Sequence, residues 1–385
     1  MIKLSKATEI PRSSIRKMFD IASTMDNVIS FAVGEPDFIT PRNIIDAAKK
    51  ALDAGETHYT PNAGILPLRK AVSKKLKEYN GIDYDPETEI IITTGGMEAL
   101  MLSMITAFNQ GDEIILTDPC WTNYPNQVLI CGAVPKFVQV FEEDSFIYNP
   151  DKLAKAITPK TKAIIINSPA NPTGGVASRE VLEDIAKIAI KYDLLVFSDE
   201  VYRRFVYDDV KFSSITSIKS MKERTILIDS FSKSYAMTGW RVGFTAGPKE
   251  IISNMTKLQE NVCACVNSAT QFAALEALEG PQDSLNNMIE KYAERRKLIY
   301  DGINSIENLS CKKPKGAFYA FINITKTGLT SEEFAMRLLK EARVVVVPGT
   351  GFGKHGEGFV RISYATSNQN IEEGIKRINN FVKSL

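Results

Sequence analysis

Between about residues 88 and 230, short apolar runs (EIIITT, EIILTD, KFVQV, KAIIINS, LLVFSD and RTILIDS) alternate with longer amphipathic stretches. This rhythm predicts a mostly parallel sheet with helices on both faces. Several runs are apolar at consecutive positions, as strands covered on both faces require, which puts them at the centre of the sheet. The run RVGFTAG begins eight residues after Lys233. A parallel crossover takes about a dozen residues or more, so this strand is expected to be antiparallel. Further on, a charged amphipathic stretch near 282–307 leads to GAFYAFINI, ARVVVVP and GFVRISYA, with helical patterns around 330–340 and 370–384. That is the make-up of a smaller α+β unit. The first 40 or so residues carry the loop GEPDFITP ahead of the helix-like NIIDAAKKALDAG and are expected to pack with that smaller unit. The chain therefore reads as α/β, with a large domain over 46–280 and a small domain made of 1–45 together with 281–385.

Composition narrows the function. The chain has 385 residues, 44% of them hydrophobic and 24% charged, which suits buried cores and argues against disorder. Lys plus Arg is 47 and Asp plus Glu is 46, a net charge of +1 that offers no broad basic surface for nucleic acid. The N-terminal MIKLSKATEIPRSS lacks the apolar run of a signal peptide, and no later stretch reaches the roughly 18 apolar residues of a membrane helix, so the expected location is the cytoplasm. The N-x-S/T triplets at Asn254, Asn308 and Asn323 then carry no glycosylation meaning. Only His58 and His355 are available as histidine bases or metal ligands, so acid–base chemistry is expected to run on another side chain. The five cysteines include no CxxC pair, which suggests neither a disulfide framework nor a zinc ribbon; Cys263 and Cys265 read as small core residues.

One glycine motif is set aside on context. Gly351, Gly353 and Gly356 match G-x-G-x-x-G after a strand-like run, but they lead into another strand pattern, whereas dinucleotide binding needs a helix N-terminus there. A mobile loop is the better reading.

The ends of the parallel strands carry more chemistry, because ligands of open α/β sheets bind outside the strands' carboxyl ends. TTGGMEAL opens a helix whose N–H groups at Gly96, Met97 and Glu98 suit a phosphate, although the same pattern is also an ordinary strand-to-helix turn. NSPANPTG puts Asn171 just past a buried strand, in a loop stiffened by two prolines. SDEVY sets Asp199 at a strand end and Tyr202 three residues on, one turn away if a helix starts there; Asp199 also reads as a helix N-cap. SFSKSYAMTGWR carries Lys233, three residues beyond Ser230 and eight before Arg241. Hydroxyls, glycine and an arginine around a lysine suggest an anion site beside an amine.

Taken in order, GEPDF, HYTPNAGILPLR, DPCWTNYP, NSPANPTG, SDEVY, SFSKSYAMTGWRVGF and FVRISYA span residues 34–366. Together they resemble the class I aminotransferases, fold-type I enzymes dependent on pyridoxal 5′-phosphate, and within them the prokaryotic aspartate and aromatic branch. The resemblance implies that Lys233 forms the Schiff base and shuttles the substrate proton, and that Asp199 keeps the pyridine nitrogen protonated. It pairs Asn171 and Tyr202 with the phenolic oxygen and stacks Trp121 on the ring. Gly96, Met97, Ser230 and Arg241 would hold the phosphate. Ser232 ranks lower, because neighbours on an extended segment point oppositely. Arg361, with the backbone of Gly34, would hold the substrate α-carboxylate. Tyr59 would reach the phosphate of a neighbouring subunit, which implies a homodimer with shared active sites.

One departure bears on substrate. Relatives acting on aspartate often carry a lysine after the paired glycines of the phosphate turn, and this chain has Met97. The leading expectation is therefore a ping-pong aminotransferase for aromatic or broadly neutral amino acids with 2-oxoglutarate as acceptor. Arg12 or Arg16 could still supply charge from elsewhere, which keeps aspartate as the alternative. A carbon–sulfur β-lyase is a further alternative on the same scaffold. A cofactor-sensing transcription regulator is disfavoured by the lack of room for a DNA-binding domain ahead of residue 30.

Overall fold

The computed structural model of the chain describes Thr8, Ile10, Met18, Asp20, Ile21 and residues 25–385. Arg12 and Arg16 lie outside the described residues. In chain order the strands are β1 (Ile29–Ser30), β2 (Ile90–Thr93), β3 (Glu113–Asp118), β4 (Val134–Gln139), β5 (Thr161–Asn167), β6 (Leu195–Asp199) and β7 (Thr225–Ser230). They continue with β8 (Gly243–Ala246), β9 (Ser310–Cys311), β10 (Tyr319–Asn323), β11 (Val344–Val345), β12 (Val347–Pro348) and β13 (Phe359–Ser363).

Seven strands form one sheet in the order β2-β8-β7-β6-β5-β3-β4. The strand β8, predicted to be antiparallel, runs against both β7 and β2, and the other six share one direction. The consecutive apolar runs do lie inside: Ile164, Ile165 and Ile166 are at most 4% exposed. Burial of each such side chain contributes on the order of 1.5–3 kcal/mol, so a slip in register is heavily penalised and the polar residues at the strand ends are held in place. The less apolar run KFVQV becomes the edge strand β4, with Phe137 47% exposed. The connections that follow the parallel neighbours β3 and β5 lead to opposite sides of the sheet, and that switch opens a crevice at the carboxyl ends.

A second, antiparallel sheet has the order β12-β13-β10-β9. The N-terminal β1 pairs in parallel with β11, Ile29 beside Val344 and Ser30 beside Val345. The helix Asp283–Asn304, 22 residues long, lies between the two sheets in sequence; its Arg295 makes a two-pronged ion pair with Asp37 of the GEPDF loop (2.7 and 2.9 Å). The helix Ser331–Ala342 begins with a capping box between Thr330 and Glu333.

Three local expectations fail. Cys263 is exposed and Cys265 half-buried rather than in the core, because Cys263 caps the helix Lys249–Val262 at its surface end. Its thiol donates to Glu98 (3.1 Å). Ser232 is not on an extended segment: Phe231–Ser234 form a single helical turn, so Ser232 and Lys233 both reach the same cavity. The glycine-rich segment folds into two short 3₁₀ turns, Gly349–Phe352 and Lys354–Gly356, with Phe352 buried.

Candidate active site

The carboxyl ends of the parallel strands and the loops beyond them enclose a cavity of about 450 Å³. Gly34, Gly96, Met97, Trp121, Asn171, Asp199, Tyr202, Ser230, Lys233, Arg241 and Arg361 all line it. Tyr59 does not; it is 88% exposed on its own chain.

At one end the helix Gly95–Ala107 points its N-terminus at the cavity, where free N–H groups and the helix dipole favour an anion. Gly95 has φ +73°, and a Cβ there would stand 2.5 Å from the Arg241 guanidinium, so glycine lets that cation close against the turn. Arg241 spends its donors on the carbonyls of Thr238 (3.0 Å) and Thr94 (3.5 Å). The Ser230 hydroxyl donates to Ser232 Oγ (2.9 Å), and both residues face the cavity.

In the middle, Lys233 Nζ donates to the Gly34 carbonyl (2.6 Å). Burial pulls its pKa down to about 8; Glu35, at the cavity wall, opposes the drop, and Arg361 and Arg241 add to it. Asp199 is 3% exposed. Burial pushes its carboxyl up to about 6, against the phenolic proton it accepts from Tyr124 (2.6 Å) and the N–H of Val201 (3.2 Å). The segment after Asp199 is a turn rather than a helix, and it brings Tyr202 to the cavity with its hydroxyl 2.7 Å from that of Tyr319. Trp121 stands edge-on to Tyr124, with centroids 5.3 Å apart.

At the far end Arg361 is 1% exposed. It donates to Asn171 Oδ1 (3.0 Å) and to the Ala32 carbonyl, its Nε has no partner, and no carboxylate among the described residues pairs with it. A buried guanidinium without a counter-charge is costly, and burial lowers its pKa. An anionic ligand entering the cavity would relieve that cost.

Tyr124, Tyr319 and Glu35 escaped the sequence reading. Tyr124 follows Trp121 by three residues in DPCWTNYP, a spacing that in a helical turn puts both on one face. Tyr319 carried no such signal. Its role comes from long-range packing, since a Cβ on Gly34 would collide with its hydroxyl.

With this geometry, relatives identify the family. Residues 26–378 match the family described as aminotransferase class I and II. The chain is 48% identical to an aspartate aminotransferase of Pyrococcus abyssi, covering 95% of this chain and 94% of that one. It is 46% identical to aromatic-amino-acid aminotransferase 2 of Thermococcus litoralis, covering 96% of each. The solved structure of an aromatic aminotransferase from Pyrococcus horikoshii superposes with a TM-score of 0.92 at 46% identity, over 95% of this chain and 99% of that one. The chain belongs to the class I and II aminotransferases, enzymes that depend on pyridoxal phosphate.

Proposed function

We propose that the enzyme moves the amino group of an aromatic or broadly neutral L-amino acid to 2-oxoglutarate by a ping-pong route, as a cytoplasmic homodimer with shared active sites. The observation that carries this reading is the distribution of charge around the cavity. Its cationic lining is Lys233, Arg241 and Arg361, and the wall between them is Met97, Val33, Leu100 and Trp121.

The residues present fit the cofactor. Asp199 is a buried carboxylate with no ion-pair partner among the described residues, a match for a protonated ring nitrogen. The Gly95–Gly96 turn, Ser230 and Arg241 suit a phosphate. Lys233 is an amine whose lowered pKa leaves a sizeable neutral fraction near pH 8. Bound pyridoxal phosphate supplies an electron sink for the pair left when the substrate Cα–H bond breaks.

The protein's own groups do the rest. Asp199 would hold the ring-nitrogen proton, because opposite charges in contact at an effective dielectric near 20 attract by roughly 4 kcal/mol or more before desolvation is counted. Asn171 and Tyr202 would hydrogen-bond the phenolic oxygen. Trp121 would cover the ring and exclude water. The N–H groups of Gly96 and Met97, with Ser230, Ser232 and Arg241, hold the phosphate, joined by Tyr59 of the second subunit. Arg361 and the Gly34 backbone hold the α-carboxylate in a planar fork that lysine would not match. Lys233 Nζ takes the Cα proton and returns it. One carboxylate site then serves donor and acceptor in turn, which is why the first product must leave before the second substrate binds.

The apolar wall favours an apolar donor, because a carboxylate buried there without a partner costs several kcal/mol. The longer chain of 2-oxoglutarate carries its second carboxylate towards the open rim at Val33 and Met97, both more than a third exposed. Aspartate, one methylene shorter, reaches water less readily. Aspartate remains the second reading, supported by the name of the Pyrococcus abyssi relative.

A panel of amino donors assayed on the holoenzyme tests this. Tyrosine and phenylalanine are expected to exceed aspartate in kcat/KM by about tenfold or more, and Met97→Lys to shift that ratio towards aspartate by about tenfold. Strong turnover of aspartate with none of the aromatic donors overturns the substrate assignment. Initial-rate lines that intersect rather than run parallel overturn the ping-pong route.

A further inference from the structure

The segment Gly349–Gly356 is fastened to the carboxyl end of β3. Asp118, the last residue of that strand and 3% exposed, accepts the backbone N–H of His355 on Oδ1 (3.1 Å) and pairs with His355 Nδ1 through Oδ2 (2.7 Å). The Phe352 carbonyl accepts the backbone N–H of Cys120 (2.8 Å). This approach requires glycine. Gly353 has φ +138°, and a Cβ on it would run into the Asp118 carboxylate; Cβ atoms on Gly349 or Gly356 would run into each other's backbone.

The strand β3 belongs to the seven-stranded sheet, and the segment follows β12 of the four-stranded one. The contact is thus a clasp between the two sheets beside the cavity. What it delivers is Phe352, whose ring centroid lies 4.9 Å from Cζ of Arg361; the Tyr319 ring lies 4.6 Å from the same atom. Aromatic faces attract a desolvated guanidinium and restrict its orientation. Orientation matters here, because a fork meets a carboxylate with two parallel hydrogen bonds only when the two are coplanar.

We propose that Asp118 and His355 are positioning residues for the carboxylate of the amino-acid substrate: their clasp seats Phe352 on Arg361 and so fixes the plane of its guanidinium. The proposal rests on Arg361 being the carboxylate site.

Calorimetric titration of the holoenzyme with unreactive carboxylates tests it, using whichever of 3-phenylpropionate and succinate binds the parent enzyme more tightly. Phe352→Leu is expected to weaken binding about tenfold and His355→Leu about fivefold. The double variant should stay near tenfold, because one residue acts through the other. His355→Asn, whose amide can donate from the position of Nδ1, should bind within about twofold of the parent. KM for the preferred donor should follow these changes while kcat stays within about twofold. Asp118→Asn repeats the test from the other end of the pair, with a loss of about threefold. Unchanged binding in His355→Leu and Asp118→Asn, or losses in the double variant that multiply to about fiftyfold, overturns the proposal. Arg361→Lys separates the two readings. Full binding in that variant refutes the carboxylate site itself, whereas loss there with none at His355 refutes the clasp alone.

Discussion

Asp199 and Glu200 are neighbours in SDEVY and nearly equally buried, at 3% and 1% exposed, yet they serve opposite sides of the sheet. Asp199 ends β6, and the N–H of Glu200 continues its ladder to the Ile228 carbonyl (2.9 Å), so the two successive side chains point to opposite faces. Asp199 lines the cavity and accepts the Tyr124 hydroxyl. Glu200 does not line it, accepting the hydroxyls of Ser198 (3.0 Å) and Ser214, with the Arg203 charge acting against the effect of its burial. Burial raises both carboxyls, Asp199 to about 6 and Glu200 to about 7. A raised pKa therefore reports burial. Which acid does chemistry depends on which one faces a space that a cationic ring can enter.

The sharpest way to break this comparison is to remove the charges one at a time. Asp199→Asn should lower kcat by about 10³-fold, the scale of the lost ion pair, whereas Glu200→Gln should stay within about threefold. Equal losses in the two variants, measured as single-turnover rates, would erase the distinction. A smaller effect is expected from the hydroxyls that touch each acid. Tyr124→Phe should weaken pyridoxal phosphate binding about tenfold, the low end for one hydrogen bond to a charged group, and Ser214→Ala should leave it unchanged.

The smallest effect is on stability. Both carboxyls are raised on folding, so the folded chain keeps protons that the unfolded chain releases above about pH 4. Their stabilising contribution is complete below that pH and is lost as pH climbs through about 6 for Asp199 and about 7 for Glu200. In the cofactor-free protein, Tm should fall over this interval. Asn at 199 should remove the part ending near pH 6, and Gln at 200 the part ending near pH 7, each worth about 2–6 °C. Pyridoxal phosphate should abolish the Asp199 part and leave that of Glu200. An identical pH dependence of Tm in both variants would contradict the assignment.

The same contrast explains what could be read from the sequence. Strands covered on both faces write themselves as consecutive apolar residues, so β5, β6 and β7 and the polar residues ending them were visible, Asp199 among them. So was β8, because the chain between Lys233 and Arg241 is too short for a crossover. Glu200 looked no different from Asp199, since face is decided by the register of the sheet. Tyr319 was invisible because its contacts with Gly34, Tyr202 and Arg361 join segments 285, 117 and 42 residues apart. Ser232 was misjudged because one turn of helix reverses the rule for neighbouring side chains. Cys263 was misjudged because its type favours the core while its place at a helix end does not.

Borohydride reduction of the holoenzyme, followed by digestion and mass spectrometry, tests most directly which residue holds the cofactor. The phosphopyridoxyl group is expected on the peptide carrying SFSKSYAM, at Lys233 alone. Its appearance on any other lysine, or its absence from Lys233, would contradict the site described here.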